Sequence, residues 1–538
     1  MPRWTRLLDL STLPPGSKRL VPADVGPADS TAPTRLLAVH TDDALYVVDG
    51  RCPHEGYPLS DGLVSGCVLT CAWHNWKFDL ETGANTLGGE GVRRWPSRVV
   101  DGHLEVDLLG PDPADEREER FASLSDALFK RRLGQALRDT LRLLVGGTPP
   151  AVIAAHVARH DALHARWGTT HTLPVAADCA RLADAIDDPY EQIHRLAPML
   201  DMAVDATGHL PLRERPTEAD IAAAEADADA LVAAVEAEDA LGAEAILRAA
   251  HRDGVPHATI EAWLLRCVAL HFTDFGHQLI YLQKLRELRL RLGDDADGAV
   301  LCDLAVGLVV GLAYGTREDT LPYMRRWFGE PLTTDGGDLL DALRGGVRSE
   351  VLPALGAALA RGERKAAAEA LIVAGAWRAE QFDEALPADP TVDEDWLSAT
   401  HRLTAALAVA ELLDHVPCSH ADAEALLRQG ASFVSIAKAT DRAEPAERSP
   451  VDAAWSAPLL DLLLDDRFAR PIRLAHGVKT LVAAMDAQER LPIEHRDAPV
   501  HAVRRYLLTP ARERSLRGQV HEAVRWLRDG KPPRRLTR

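Results

Sequence analysis

Aromatic residues are scarce. Phe, Trp and Tyr together supply 5% of the 538 residues, although apolar residues of all kinds reach 46%. The apolar content is therefore mostly Ala, Leu and Val, a composition that favours helices over sandwiches. Cysteine is also sparse, with seven residues scattered except around one short stretch. An odd, dispersed set argues against a disulfide framework, so a reducing cytoplasm is the default location. Basic charge is in deficit, with 61 Lys and Arg against 81 Asp and Glu and a net charge of −20. Phosphate binding needs clustered Lys and Arg, so nucleic acid is excluded as an expected partner. No Gly-x-Gly-x-x-Gly follows a strand pattern, so no flavin or nicotinamide fold is expected and any reductant must come from another protein. Met1 to Asp9 has no apolar core of signal-peptide length. The most apolar run, Ala299 to Gly315, contains Asp303 and carries Gly307, Gly311 and Gly315 on one helix face. A span needs about 20 mostly apolar residues, so this run predicts a buried helix and no membrane span. At this length two to four domains are expected.

What the chain does have is Cys52-Pro53-His54 followed, after sixteen residues, by Cys71-Ala72-Trp73-His74. Two Cys and two His in this arrangement suit a [2Fe–2S] centre in which thiolates hold one iron and imidazoles the other. Tetrahedral zinc can use the same residue types. The surrounding hundred residues alternate in the manner of short strands. Leu36 to His40 and Ala44 to Val48 flank Thr41-Asp42-Asp43 as a hairpin. Gly62 to Thr70 reads as a strand pair broken near Ser65-Gly66, and Val99 to Val106 as a hairpin around Asp101-Gly102. A small antiparallel β domain with two ligand-bearing loops is expected.

Residues 1 to about 109 resemble a Rieske [2Fe–2S] ferredoxin-type domain. Besides Cys52, His54, Cys71 and His74, the resemblance rests on Gly56-Tyr57-Pro58-Leu59 after the first pair and Asn75-Trp76-Lys77-Phe78-Asp79-Leu80-Glu81-Thr82-Gly83 after the second. It implies one Rieske-type cluster bound by those four residues, with the two histidines at the exposed tip as the route for electrons. Respiratory bc-type members carry an additional cysteine in each loop, forming a disulfide. Here Tyr57 and Trp73 stand at those positions, so the chain is similar to the ferredoxin and oxygenase branch.

Residues 110–120 are Pro-rich and then densely charged, and read as a linker. From residue 121 to 538 strand signals vanish and a large all-α domain, possibly in two halves, is expected. Helices are predicted over 256–289, 297–313, 348–386, 392–428, 448–465, 468–488 and 497–529. Thr217 with Asp220 forms a capping-box pattern, and the nine acids between Pro216 and Leu247 read as a solvated acidic face. The fold class is thus α+β multidomain.

Histidines are the chemical feature of this part. His156, His160 and His164 are spaced four apart on one helix face, and His171 follows. His271 and His277 bracket Asp274, while His401 and His476 each open an apolar helix. Helix-borne histidines near acids are how bundles build non-haem iron sites. His160, His164 and His277 are the candidate catalytic residues. Asp161, His164 and His171 approximate the two-His-one-carboxylate set of Rieske oxygenases, although that family's catalytic domain is rich in sheet. Phe275 to Tyr281, with the His401 and His476 helices, resembles questin-oxidase-like proteins over short patches, which implies oxygen-inserting oxidation of an organic substrate.

Two functions follow as expectations. One is a Rieske electron-transfer protein passing single electrons to or from a partner oxidoreductase, such as an oxygenase or uptake hydrogenase, with the helices as docking domain. The other is a self-contained oxidase or monooxygenase whose helices hold a His-lined pocket for metal or a small organic substrate, fed by the cluster.

Overall fold

The run Leu36-Leu37-Ala38-Val39 is buried on both faces, and this determines how the N-terminal part is layered. In an extended strand alternate side chains point to opposite faces. Leu36 and Ala38 accordingly enter a core with Val47, Trp95, Leu104 and Val106, whereas Leu37 and Val39 enter one with Val48, Leu69, Phe78 and Leu80. The protein, seen in a computed structural model, is described over residues 3–23, 35–109, 113–315, 326–389, 392, 394–444, 448–465, 468–510 and 516–531. It divides into two compact units, residues 1–149 and 150–538.

In the first unit all strand pairs are antiparallel. Strands β1 (Trp4–Asp9), β10 (His103–Asp107) and β9 (Ser97–Val100) form one sheet in that order. A second has β2 (Ser17–Pro22), β3 (Arg35–His40), β4 (Leu45–Asp49) and β8 (Arg94–Trp95). The third has β5 (Leu63–Ser65), β6 (Val68–Thr70) and β7 (Lys77–Asp79). The expected hairpins are present. Asp101 and Gly102 turn the last one with φ of 49° and 74°.

Residues 110–112 of the anticipated linker lie outside the described residues. Helix α1 (Pro113–Phe129) begins within the linker, and α2 (Leu133–Val145) follows. Both belong to the first unit, whose boundary falls at 149/150 and not at 109–121. The physical reason lies on α2, where Arg138 and Arg142 form ion pairs with Glu90 of the β part.

Among the described residues, the regular structure of the second unit is helical, apart from an isolated bridge between Phe382 and Asp441. The helices that build its site are α3 (Pro150–His164), α4 (Thr172–Asp184), α5 (His277–Leu292), α6 (Gly298–Gly315), α7 (Trp396–His415) and α8 (Pro471–Arg490). By length and composition α6 could cross a membrane, but most of it is buried inside this unit. Its Asp303 accepts hydrogen bonds from Arg159 Nε at 2.7 Å and Arg248 Nη2 at 3.0 Å. The capping box at Thr217 is formed. The solvated acidic face has one exception: Glu244 is fully buried and paired with Arg213 and Arg248.

Several predicted helices are broken where the backbone demands it. The 348–386 stretch splits into Arg348–Ala360 and Arg364–Glu380 at Gly362, whose φ of 75° no continuing helix can accept. The 256–289 stretch is two helices, His257–Leu270 and α5. Between them Asp274, Phe275 and Gly276 have φ of 41°, 60° and 85°. Left-handed geometry costs a non-glycine residue about 1–2 kcal/mol. Such strain collects where function requires it, and here it sets Asp274 against the first residue of α5.

Candidate functional site

The two loops of the first unit are built alike. In each, the cysteine N–H donates to the carbonyl five residues on, Cys52 to Tyr57 and Cys71 to Trp76, both at 2.8 Å. In each, the fourth residue after the cysteine closes the turn with positive φ, 72° at Gly56 and 58° at Asn75. The loops converge. His54 Nδ1 and His74 Nδ1 lie 3.1 Å apart, with both rings near the surface and both thiols buried. His54 stacks on Trp76, at 4.5 Å between centroids. Tyr57 and Trp73, which replace the bc-type cysteines, stack on each other at 5.4 Å. Cys67, four residues before Cys71, is half-buried and outside this group.

Burial pushes the Cys52 thiol up to about 12, and the neighbouring Cys71 adds to the effect. A buried thiolate pair is thus unfavourable without a cation, and the two facing imidazole nitrogens, 3.1 Å apart, stand ready as the second pair of ligands. The residues therefore fit a cluster with a thiolate-held and an imidazole-held iron.

A second group gathers in the helical unit. His171 immediately precedes α4, His277 opens α5, and His401 and His476 lie in the second turns of α7 and α8. Their rings meet: His277 Nε2 is 2.7 Å from His401 Nε2, and His476 Nε2 is 3.0 Å from His171 Nε2. Ring nitrogens of His171, His401 and His476 lie within 4.8 Å of one another.

Hydrogen bonds on the far side of the rings fix which nitrogens carry protons. His401 Nδ1 donates to the Leu397 carbonyl at 2.6 Å, because a carbonyl can only accept. His277 Nδ1 donates to the Asp274 carboxylate at 2.6 Å. Thr400 Oγ1 lies 2.9 Å from both the Leu397 carbonyl and His476 Nδ1, and with its proton on the carbonyl its oxygen accepts from His476. The Nε2 atoms of His277, His401 and His476 consequently present lone pairs. Burial, with contributions from neighbouring rings and Lys479, holds His171, His401 and His476 well below the usual imidazole range. Burial lowers His277 too, against the opposing pull of Asp274. Four converging imidazoles, three oriented by outer partners, have the residue types and outer hydrogen bonds of a candidate metal-ligand set.

The backbone around His171 is held by a separate device. Asp161 accepts from Thr169 Oγ1 at 2.8 Å and from Thr170 N and Oγ1, both at 2.7 Å. Thr169 N donates to the Gly307 carbonyl at 2.9 Å. Asp161 therefore orients the loop ending in His171 and is committed there, which removes it from the two-His-one-carboxylate arrangement. His160 and His164 stack on each other, at 4.2 Å, and His164 Nδ1 donates to the Leu210 carbonyl at 2.6 Å. Neither joins the four-histidine group. Of the three catalytic candidates only His277 does. Burial lowers His160 to about 3.

Two cavities abut the group and share His171, Asp274, Phe275 and His277. One, of about 680 Å³, is lined by Trp167, Phe275, Tyr281, Tyr314 and Gln278, with Gly311 and Gly315 of α6 making room. The other, about 280 Å³, is more charged, with Glu394, Asp395 and Arg473 in its wall. One turn beyond His476, Lys479 is buried without a hydrogen-bond partner for Nζ, and burial lowers it to about 7. Neither Thr400 nor Lys479 carried a signal in the sequence, because their roles depend on which helices meet.

Comparison with known proteins bears on the first unit. The family model described as Rieske [2Fe-2S] domain matches residues 4–91. The chain is 34% identical over 85 residues to the anthranilate 1,2-dioxygenase ferredoxin subunit of Burkholderia cepacia, covering 15% of this chain and 79% of that protein. It is 54% identical over 45 residues to the 4beta-methylsterol monooxygenase of Methylococcus capsulatus, covering 8% of this chain and only 12% of the monooxygenase. A solved ferredoxin of Sphingomonas yanoikuyae B1 is 24% identical, with a TM-score of 0.18, over 20% of this chain and all of that one. A Rieske-type [2Fe–2S] cluster is the cofactor this match indicates. The chain belongs to the Rieske [2Fe-2S] domain family, through a domain at residues 4–91.

Proposed function

We propose that the protein is a self-contained oxygenase. In this reading Cys52, His54, Cys71 and His74 would hold the Rieske cluster, and His171, His277, His401 and His476 would hold a further iron. The cluster would supply single electrons and the iron the activation of dioxygen, while the 680 Å³ cavity beside the four histidines would take a small organic substrate. The observation that carries the reading is the convergence of four imidazoles, three of which have an outer hydrogen-bond partner on Nδ1. Zinc has no redox role, so a one-electron carrier in the same chain favours iron. For a monooxygenation, substrate, dioxygen, two electrons and two protons give hydroxylated product and water. The electrons enter through the cluster from an external reductase protein. The patches resembling questin-oxidase-like proteins, Phe275 to Tyr281 with His401 and His476, fall on this group and agree with oxygen insertion.

Stopped-flow reoxidation tests this. Dioxygen should oxidise the reduced cluster at least tenfold more slowly in His401→Ala and His476→Ala than in the unaltered protein. Equal rates would refute the coupling. The alternative, a carrier for a separate oxygenase, draws support from the ferredoxin subunit similarity and the near-surface His54 and His74. It predicts equal rates. A reducing cytoplasm remains our assignment of compartment for either reading.

A further inference from the structure

Helices α1 and α2 lie beyond residues 4–91 of the Rieske match, yet they belong to the same unit. Their contact with the β part is electrostatic and close to the cluster loops. Glu90 is almost fully buried and receives Arg138 Nε at 3.0 Å and Arg138 Nη2 at 2.9 Å. Arg142 pairs with the other oxygen of Glu90 and, at 3.1 Å, with Asp139. Asp139 is itself fully buried and fixed by the Ser123 hydroxyl at 2.6 Å. Beside this group lies a cavity of about 300 Å³ whose wall includes Cys52, Gly56, Glu90, Arg120, Arg138 and Arg142.

We infer that the α1–α2 hairpin is an electrostatic cap that sets the reduction potential of the cluster through Glu90, Arg138 and Arg142. The inference rests on Cys52 being a cluster ligand. Reduction adds one negative charge to the cluster, so nearby positive charge raises its potential and nearby negative charge lowers it. Glu90 supplies a buried negative charge beside the loops, and the two guanidiniums offset it. They act on the cluster through Glu90 and are positioning and tuning residues, with no contact to substrate.

The test is a redox titration of the full-length holoprotein followed by EPR of the reduced cluster. Arg138→Gln and Arg142→Gln should each shift the potential downward, because Glu90 is left less compensated. Glu90→Gln should shift it upward. Opposite signs are the diagnostic result, since a merely structural role would loosen the loops and move all three the same way or erase the signal. Should Arg142→Gln fail to accumulate, the Arg138→Gln and Glu90→Gln pair decides the matter. Unchanged potentials, or shifts of one sign, with the Rieske EPR signal intact would overturn the inference. Absence of that signal from the unaltered holoprotein would instead overturn the ligand assignment on which it rests.

Discussion

Replacing Thr400 with Val removes one oxygen and almost no volume, and it isolates the orientation of a single ring. Thr400 and His476 are both nearly inaccessible to solvent, so no water replaces the lost acceptor. His476 Nδ1 would lose its 2.9 Å hydrogen bond, while the Leu397 carbonyl keeps the one from His401. An unpaired buried N–H costs about 1–3 kcal/mol. The ring can escape by moving its proton to Nε2, which turns a lone pair facing the other histidines into an N–H. Either way the set binds metal more weakly. Loss of an outer hydrogen-bond partner typically lowers metal affinity about 10–100-fold, equivalent to roughly 1.4–2.7 kcal/mol. The assay is a chelator-competition titration of ferrous iron into protein already carrying its cluster. Thr400→Ser, which keeps the hydroxyl, should stay within about threefold of the unaltered protein. Identical affinities for Thr400→Val and the unaltered protein would refute the proposed orientation.

Three other outcomes follow. His160→Ala should retain all iron while His277→Ala loses one, because His160 lies outside the convergent group; iron assay of the two proteins compares them directly. Gly168→Ala should destabilise the helical unit by about 2–3 kcal/mol in urea unfolding. Its φ is 86°, and an added Cβ would sit 2.4 Å from Gly311 N and 2.5 Å from the Gly307 oxygen; a change below about 0.5 kcal/mol would contradict this. Asp49 is raised from 3.8 to about 6, chiefly by burial and against the hydrogen bond from Trp95. The folded state holds its proton more tightly than the unfolded state, so stability is lost as pH rises through about 6. Asp49→Asn keeps an acceptor for Trp95 and should gain about 1–3 kcal/mol at neutral pH, with the gain vanishing below pH ~4.

The cluster loops were legible in the sequence because each is a local object: cysteine, histidine and turn residue lie within five positions. The β part was legible for a similar reason, since alternation and Asp101-Gly102 specify strands and turns without distant information. The four-histidine group was different. His171 and His476 are separated by 305 positions and meet only because the N-terminal ends of their helices converge. Spacing of four along α3 drew attention to His160 and His164, but that spacing reports only a shared helix face. The break at Asp274-Phe275 was hidden because a bulky residue such as Phe275 rarely takes left-handed geometry. The α1–α2 hairpin is hard to read in the sequence because its charged opening resembles a linker, whereas Arg138 and Arg142 of α2 pair with the distant Glu90.

The iron and acid-labile sulfide content of the purified holoprotein tests the central claim most directly. Three irons and two sulfides per chain are predicted, falling to two irons and two sulfides, with the Rieske EPR signal retained, in His277→Ala and His401→Ala. Two irons and two sulfides in the unaltered protein after anaerobic iron loading would contradict it.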